Sequence, residues 1–275
     1  MSEPSVQVTG VAVRFGDFVA LDGVDWSVDG CGVIGLIGLN GAGKTTLIRT
    51  VLGLQAVSAG DVRVPIGLGA IGYCPDTPGF EPWLSAREVL EQSLAIGPAR
   101  DPGTWSVDAA LAAVDLERHA HRRAGGFSRG MMQRLGIAAA LVREPGVLIL
   151  DEPTSALDPE GRAAVLALIR ELGERMTVVF SSHLLADVED LADRLLVLHG
   201  GRAVFAGTTA DFLAEHTAEP ALRIALTGGR VIEAEPPGWG PALADAATRS
   251  TDIEDIRITR PTLTDAFFAA IGERP

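Results

Sequence analysis

Cysteine is scarce in this chain. Cys31 and Cys74 are the only two in 275 residues, and they show no CxxC or Cys/His spacing, so neither a disulfide framework nor a zinc site is expected. Positive charge is also short. Twenty-three Lys and Arg against 36 Asp and Glu leave a formal net charge of −13 and a pI near 4.8, which opposes the basic face that direct nucleic-acid binding needs. Long apolar runs are missing although 47% of the residues are hydrophobic. Charge, glycine or proline breaks each run well short of the roughly 18 residues of a membrane span, so any membrane process would need another polypeptide to supply the spanning helices. The first thirty residues carry Asp17, Asp22, Asp25 and Asp29 and lack a basic start followed by an apolar run; no export signal is expected, and a reducing cytoplasm is the simplest setting. No internal repeat or low-complexity tract stands out.

What is present reads as alternating β and α segments. Residues 6–13 and 18–28 alternate apolar with small or polar side chains around Phe15-Gly16-Asp17, which predicts two strands joined by a turn. Val33 to Ile37 is a short apolar strand leading through a glycine-rich loop into a helix that Gly53 can close. Residues 61–73 return to β-like sequence before Pro75, Pro78 and Pro82 impose an irregular connector. Ser85 and Glu88 have capping-box spacing for a helix through about Ile96, and Ser106 starts another predicted to end near Arg118. The stretch from about 77 to 143 thus reads as a helical subdomain inserted between β-rich segments. Gly146 to Leu150 predicts a buried strand, Asp158-Pro159 starts a helix to about Glu171, and Thr177 to Phe180 and Leu195 to His199 predict further strands. Residues 1–212 are expected to form the main domain. A small extension over 213–275 carries Pro220, a Gly228-Gly229 hairpin signal, Pro236-Pro237 and a last helix near Leu263 to Ile271.

Two segments carry chemistry. Gly38-Leu39-Asn40-Gly41-Ala42-Gly43-Lys44-Thr45 fits G-x-x-x-x-G-K-[ST] between an apolar strand and a helix. Its glycines let backbone N–H groups converge on phosphate oxygens at the positive end of a helix dipole. Lys44 is placed to reach the β- and γ-phosphates of a nucleotide, Thr45 to ligate Mg²⁺, and Thr46 to donate to the α-phosphate. The alternative, a glycine-rich turn with a surface lysine, does not account for the flanking strand and helix. Val147 to Leu150 then delivers Asp151 and Glu152 at the end of a buried strand, where open α/β sheets bind ligands. Asp151 is assigned to Mg²⁺ and Glu152 to the water that attacks the γ-phosphate. Taken alone, that hexapeptide would read equally well as a solvated strand end.

Together with Pro153 to Asp158, these motifs resemble the nucleotide-binding domain of the ATP-binding cassette family over roughly residues 6 to 212. The resemblance implies an α/β phosphate-loop NTPase core of the RecA-like kind, with a mixed sheet, an antiparallel β-subdomain, an inserted helical subdomain and a small C-terminal α+β extension. Phe127 to Arg134 is similar to the family's LSGGQ signature, with Arg129 and Met131 departing from it. By the same resemblance Ser128 and Gly130 face the ATP of a second cassette, so that a head-to-tail homodimer or heterodimer completes each site. His183, in Ser181-Ser182-His183, matches the switch histidine that contacts the γ-phosphate, and Phe15 matches the aromatic that stacks on adenine. Asp76 stands where relatives commonly carry glutamine; its shorter, anionic side chain can approach Mg²⁺ through water. His119, His121, Arg122 and Arg123 read as a solvated segment rather than a ligand cluster.

The signature segment and the closing Pro261 to Phe268 are similar to subunits of ABC-2 type exporters. That implies an ATPase on the inner face of the cell membrane, held there by a polytopic transmembrane permease whose cytoplasmic helix meets the helical subdomain. A soluble cassette ATPase in repair, translation or cofactor assembly is the alternative, as is a module that binds ATP without turning it over.

Overall fold

The computed structural model describes residues 3–96, 105–155, 157–217, 220–227, 230–234, 238–248, 253–259 and 261–272. The chain divides into two units, Met1–Thr209 and Ala210–Pro275. The first runs β1 (Val6–Phe15), β2 (Phe18–Val28), β3 (Gly32–Ile37), α1 (Lys44–Val51), β4 (Ala59–Arg63), β5 (Ile71–Cys74), α2 (Ala86–Ala95), α3 (Val107–Ala113), α4 (Arg129–Leu141), β6 (Val147–Leu150), α5 (Pro159–Gly173), β7 (Thr177–Ser182), α6 (Leu185–Leu191), β8 (Arg194–His199) and β9 (Arg202–Thr208). The second runs α7 (Thr209–His216, starting at the boundary), β10 (Ala221–Leu226), β11 (Arg230–Ala234), α8 (Trp239–Ala247), β12 (Ile253–Thr259) and α9 (Leu263–Ile271).

A six-stranded sheet of order β5-β6-β7-β3-β8-β9 organises the first unit; all its pairs are parallel except β8 with β9. Strands buried on both faces cannot alternate apolar with polar, which is why Val147–Leu150 and Val33–Ile37 read as unbroken apolar runs. One face is covered by the antiparallel sheet β2-β1-β4 and by α1. Val6, Val8, Val13, Leu21 and Val24 pack there with Leu47, Leu36 and Leu196, and each such buried side chain contributes about 1.5–3 kcal/mol. The other face takes α5 and α6 at contact so close that a Cβ added to Gly35 would lie 2.4 Å from Val188.

The parallel register decides where the loops emerge. Ile37 pairs with Ser182, Phe180 with Leu150, and Leu150 with Cys74, so the segments starting at Gly38, His183, Asp151 and Pro75 leave the same edge of the sheet. Helices α2, α3 and α4 pack on one another, and α4 also lies against β5. The capping box is present at the start of α2: Glu88 N–H donates to Ser85 Oγ, and Glu88 Oε2 accepts from Ser85 N.

Several boundaries differ from the sequence expectation. The helix begun by Ser106 stops at Ala113 rather than near Arg118, because Asp115 adopts φ 54° and only a short 3₁₀ turn, Glu117–His119, follows. Residues 61–73 are not one β segment: β4 ends at Arg63 and a 3₁₀ turn at Leu68–Ala70 precedes β5. Helices α6 and α7 and strand β9 have no counterpart in the sequence expectation. The second unit has an antiparallel sheet β11-β10-β12, with Leu222, Ile224 and Leu226 of β10 buried alongside Ala242 of α8. Its last helix, α9, opens with a capping box between Thr262 and Asp265. The glycine and proline signals at 228–229 and 236–237 lie outside the described residues.

Candidate functional site

The loop after β3 wraps a cavity of about 290 Å³ lined by Leu39 to Thr46 together with Phe18, Ala20, Asp76 and Glu152. Gly43 stands at the N-terminal cap of α1 with φ 105°, and a Cβ there would come 2.7 Å from Ala20 O, so only glycine fits both the backbone angle and the approach. No capping side chain and no acid occupies the first turn of α1, which leaves the helix start free to receive an anion. Gly38 is equally confined, since its Cβ would meet Leu198 O at 2.4 Å.

Lys44 is buried, and its ammonium donates to Gly38 O at 2.7 Å while lying 3.5 Å from Glu152 Oε1. The other Glu152 oxygen, Oε2, is 2.7 Å from His183 Nδ1. Glu152 takes up φ 49°, a left-handed conformation that is uncommon for a residue with a side chain and that turns its carboxylate from the strand end toward both partners. Asp151, one residue earlier, is buried and accepts a hydrogen bond of 2.6 Å from Ser181 Oγ, which itself accepts from Glu152 N at 2.8 Å. Ser181 thus braces both acids. It stood in the Ser181-Ser182-His183 segment without an assigned part, and its place beside β6 follows only from the β6–β7 register.

Asp76 lines the cavity and accepts from Ser155 Oγ at 2.7 Å. Just upstream, burial pushes the Cys74 thiol up to about 12, with the Asp151 and Asp76 carboxylates adding to it; burial, then Asp151, raises Tyr73 likewise to about 12. Thr45 and Asp76 line the cavity with a hydroxyl and a carboxylate, and Asp151, buried and absent from the lining, adds a second carboxylate beside Ser181; these are hard oxygen donors of the kind that suit Mg²⁺.

Other named residues lie apart. Ser128 caps α4, its hydroxyl accepting from Met131 N at 3.2 Å, and Gly130 faces Leu157, whose Cδ2 would be 3.3 Å from an added Cβ. Neither lines the cavity. Phe15 sits at the tip of the β1–β2 hairpin, 49% exposed, and is not among the lining residues; its cross-strand partner Phe18, 61% exposed, is. Pairing across a two-residue turn brings the two rings to one end of the hairpin, a proximity the Phe15-Gly16-Asp17-Phe18 spacing already contained. Ala156, within the segment after Glu152, lies outside the described residues.

A sequence profile for the family described as ABC transporter matches residues 21–155. The protein YxlF of Bacillus subtilis (strain 168), named as an uncharacterized ABC transporter ATP-binding protein, is 38% identical over 68% of this chain and 65% of its own length. This chain therefore spans slightly less than two thirds of that relative. The aliphatic sulfonates import ATP-binding protein SsuB 2 of Frankia alni is 40% identical over 72% of this chain and 78% of that protein. The daunorubicin resistance ATP-binding protein DrrA3 of Streptomyces coeruleorubidus is 31% identical over 99% of this chain and 98% of that protein. Among solved structures, one described as the ATP binding subunit of an ABC transporter matches with a TM-score of 0.69 and 29% identity, over 76% of this chain and 92% of that one.

Proposed function

The chain belongs to the ABC transporter family and is an ATPase of that kind, and from this premise we propose that it is the ATP-hydrolysing subunit of an exporter, driving a separate transmembrane permease. The observation that carries the catalytic part is the line Lys44–Glu152–His183 at the rim of a cavity walled by phosphate-loop backbone. ATP entering the cavity offers its β- and γ-phosphates to Lys44, which gives up its Gly38 carbonyl contact for them. Glu152 is then free to orient a water in line with the γ-phosphate, and His183 holds the far oxygen of Glu152 and reaches the phosphate being transferred. Thr45 and Asp151, with Asp76 nearby, would hold a Mg²⁺ ion, which would supply neutralising charge to the phosphates. Ser128 and Gly130 stand away from this cavity. Their place at the start of α4 supports a part in trans, on the ATP of a second cassette, so that two chains make two sites.

Export is favoured over import by extent of likeness. The similarity to the Nod factor export ATP-binding protein I of Rhizobium sp. (strain N33) runs over 78% of the chain, whereas that to the sulfonate import protein covers 72%. Next to the Asp76 loop, a largely apolar groove of about 320 Å³ is lined by Ile71, Tyr73, Pro78, Phe80, Ile96 and Ala140. In this reading it seats a cytoplasmic helix of the permease, and movement of the Asp76 loop links that helix to the nucleotide.

Replacing Glu152 by Gln preserves shape and removes the base. The substituted chain is expected to bind Mg-ATP, lose most turnover and run as a dimer by light scattering. A monomer under saturating Mg-ATP would contradict the shared-site reading. Recovery of a polytopic membrane protein with the tagged chain after gentle detergent extraction supports the transport role, and recovery of a soluble complex alone removes it.

A further inference from the structure

Behind the site lies an ion pair between buried Asp187 and half-buried Arg162, to which the catalytic reading assigns no part. Asp187, on the first turn of α6 and only 1% exposed, accepts from Thr154 Oγ1 at 2.8 Å on one oxygen. Its other oxygen takes Arg162 through Nε at 2.8 Å and Nη2 at 2.5 Å. The three come from different segments, two of which lead away from a residue of the site while the third is α5. Thr154 is two residues beyond Glu152, Asp187 four beyond His183, and Arg162 four beyond Asp158, the cap of α5. The neighbouring hydroxyl, on Ser155, reaches the opposite way to Asp76. The three-residue turn 153–155 is therefore pinned on one side to the loop after β5 and on the other to the helices after His183 and Asp158.

We propose that Asp187 is a positioning residue for ATP cleavage, fastening the turn after Glu152 to the start of α6 so that Glu152 and His183 keep their register. This rests on the hydrolytic reading above. A buried carboxylate with three charge-assisted or hydroxyl donors holds its partners more rigidly than packing alone. The contact needs that rigidity because neither Glu152 nor His183 lies within a regular strand or helix: both follow the last residues of β6 and β7. Lys44 and the phosphate loop hang instead on β3 and α1 and receive no hydrogen bond from Thr154, Arg162 or Asp187. Loss of the clamp is accordingly expected to reach cleavage and spare binding.

The test is steady-state hydrolysis and equilibrium binding of a fluorescent ATP analogue with the full-length chain. Asp187→Asn is expected to lower kcat about tenfold or more while KM and Kd for ATP stay within about twofold. Thr154→Val, which deletes one hydroxyl at nearly constant volume, should move the same way by less, and Thr154→Ser should restore wild-type turnover. Unpairing a buried Asp from its Arg can unfold a protein. If Asp187→Asn does not fold, the Thr154 pair carries the test. Wild-type kcat in Thr154→Val overturns the proposal, and so does a loss of kcat matched by equal losses of ATP affinity and thermal midpoint, which marks a purely structural clamp. A wild-type chain that binds ATP without cleaving it overturns the hydrolytic reading as well, and does so before any substitution is made.

Discussion

Cys74 illustrates how a residue with no part in the chemistry can report on the site. Its thiol is buried beneath Asp151 and Asp76, with Gln133 Nε2 3.6 Å from Sγ, and burial followed by those two carboxylates raises its pKa from 9.0 to about 12. Tyr73 rises from 10.0 to about 12, chiefly by burial. A folded state that holds these protons more tightly than the unfolded chain loses stability as pH climbs. Between pH 9 and 12 the unfolded chain deprotonates first, so the free energy of unfolding falls with pH through that window and is unaffected below it. Urea midpoints at pH 7.5 and 10 should therefore differ more for the wild type than for Cys74→Ala, which adds no volume and has no proton to lose. Equal differences would show that Cys74 is less enclosed than the structure has it. Glu152 and Phe18 make the same point for function. The acid was legible from its place after an apolar strand, but its left-handed backbone and its two partners were not, because they depend on Lys44 and His183 arriving from other strands.

At the scale of elements, α4 shows how tightly the helical subdomain is joined to the sheet. Gly136 is a helix-interior glycine, and replacement by alanine in an exposed helix would gain about 1 kcal/mol. Here a Cβ would fall 2.6 Å from Pro78 Cγ and 2.8 Å from Cys74 Sγ. A proline ring cannot rotate away, so Gly136→Ala should destabilise the fold by about 1–3 kcal/mol despite its better helix propensity. A thermal midpoint that rises instead would mean that α4 and the loop after β5 separate easily. The elements most legible in sequence were those with local signals: the capping box at Ser85, the proline at the start of α5, and the apolar runs of β3 and β6. Those that escaped had none. Helix α6 has seven residues and an uncapped start at Leu184, and α3 ends on a left-handed aspartate with no glycine to announce it.

For the molecule as a whole, the expected ligand acts on the folded chain and not on the unfolded one. Mg-ATP at about a hundred times its dissociation constant should add about 2.7 kcal/mol to stability by mass action, visible as a rise in thermal midpoint. Lys44→Ala removes the ammonium that meets the β- and γ-phosphates and should abolish most of that rise while leaving the nucleotide-free midpoint near the wild-type value. An undiminished rise in the variant would place the nucleotide elsewhere. Among the described residues no helix is long and apolar enough to cross a membrane.

The sequence by itself determined the phosphate loop, the acidic strand end and their order, because a strand, a glycine-rich turn and a helix start are local and their residue types are dictated by backbone geometry and burial. What only tertiary structure decided is company. Parallel register brought the segments after β3, β5, β6 and β7 to one edge, set Ser181 beneath Asp151 and Glu152, and joined Thr154, Arg162 and Asp187 from three separate segments. Contacts between residues tens of positions apart arise from how strands pair and helices pack, and no local pattern in the chain encodes them.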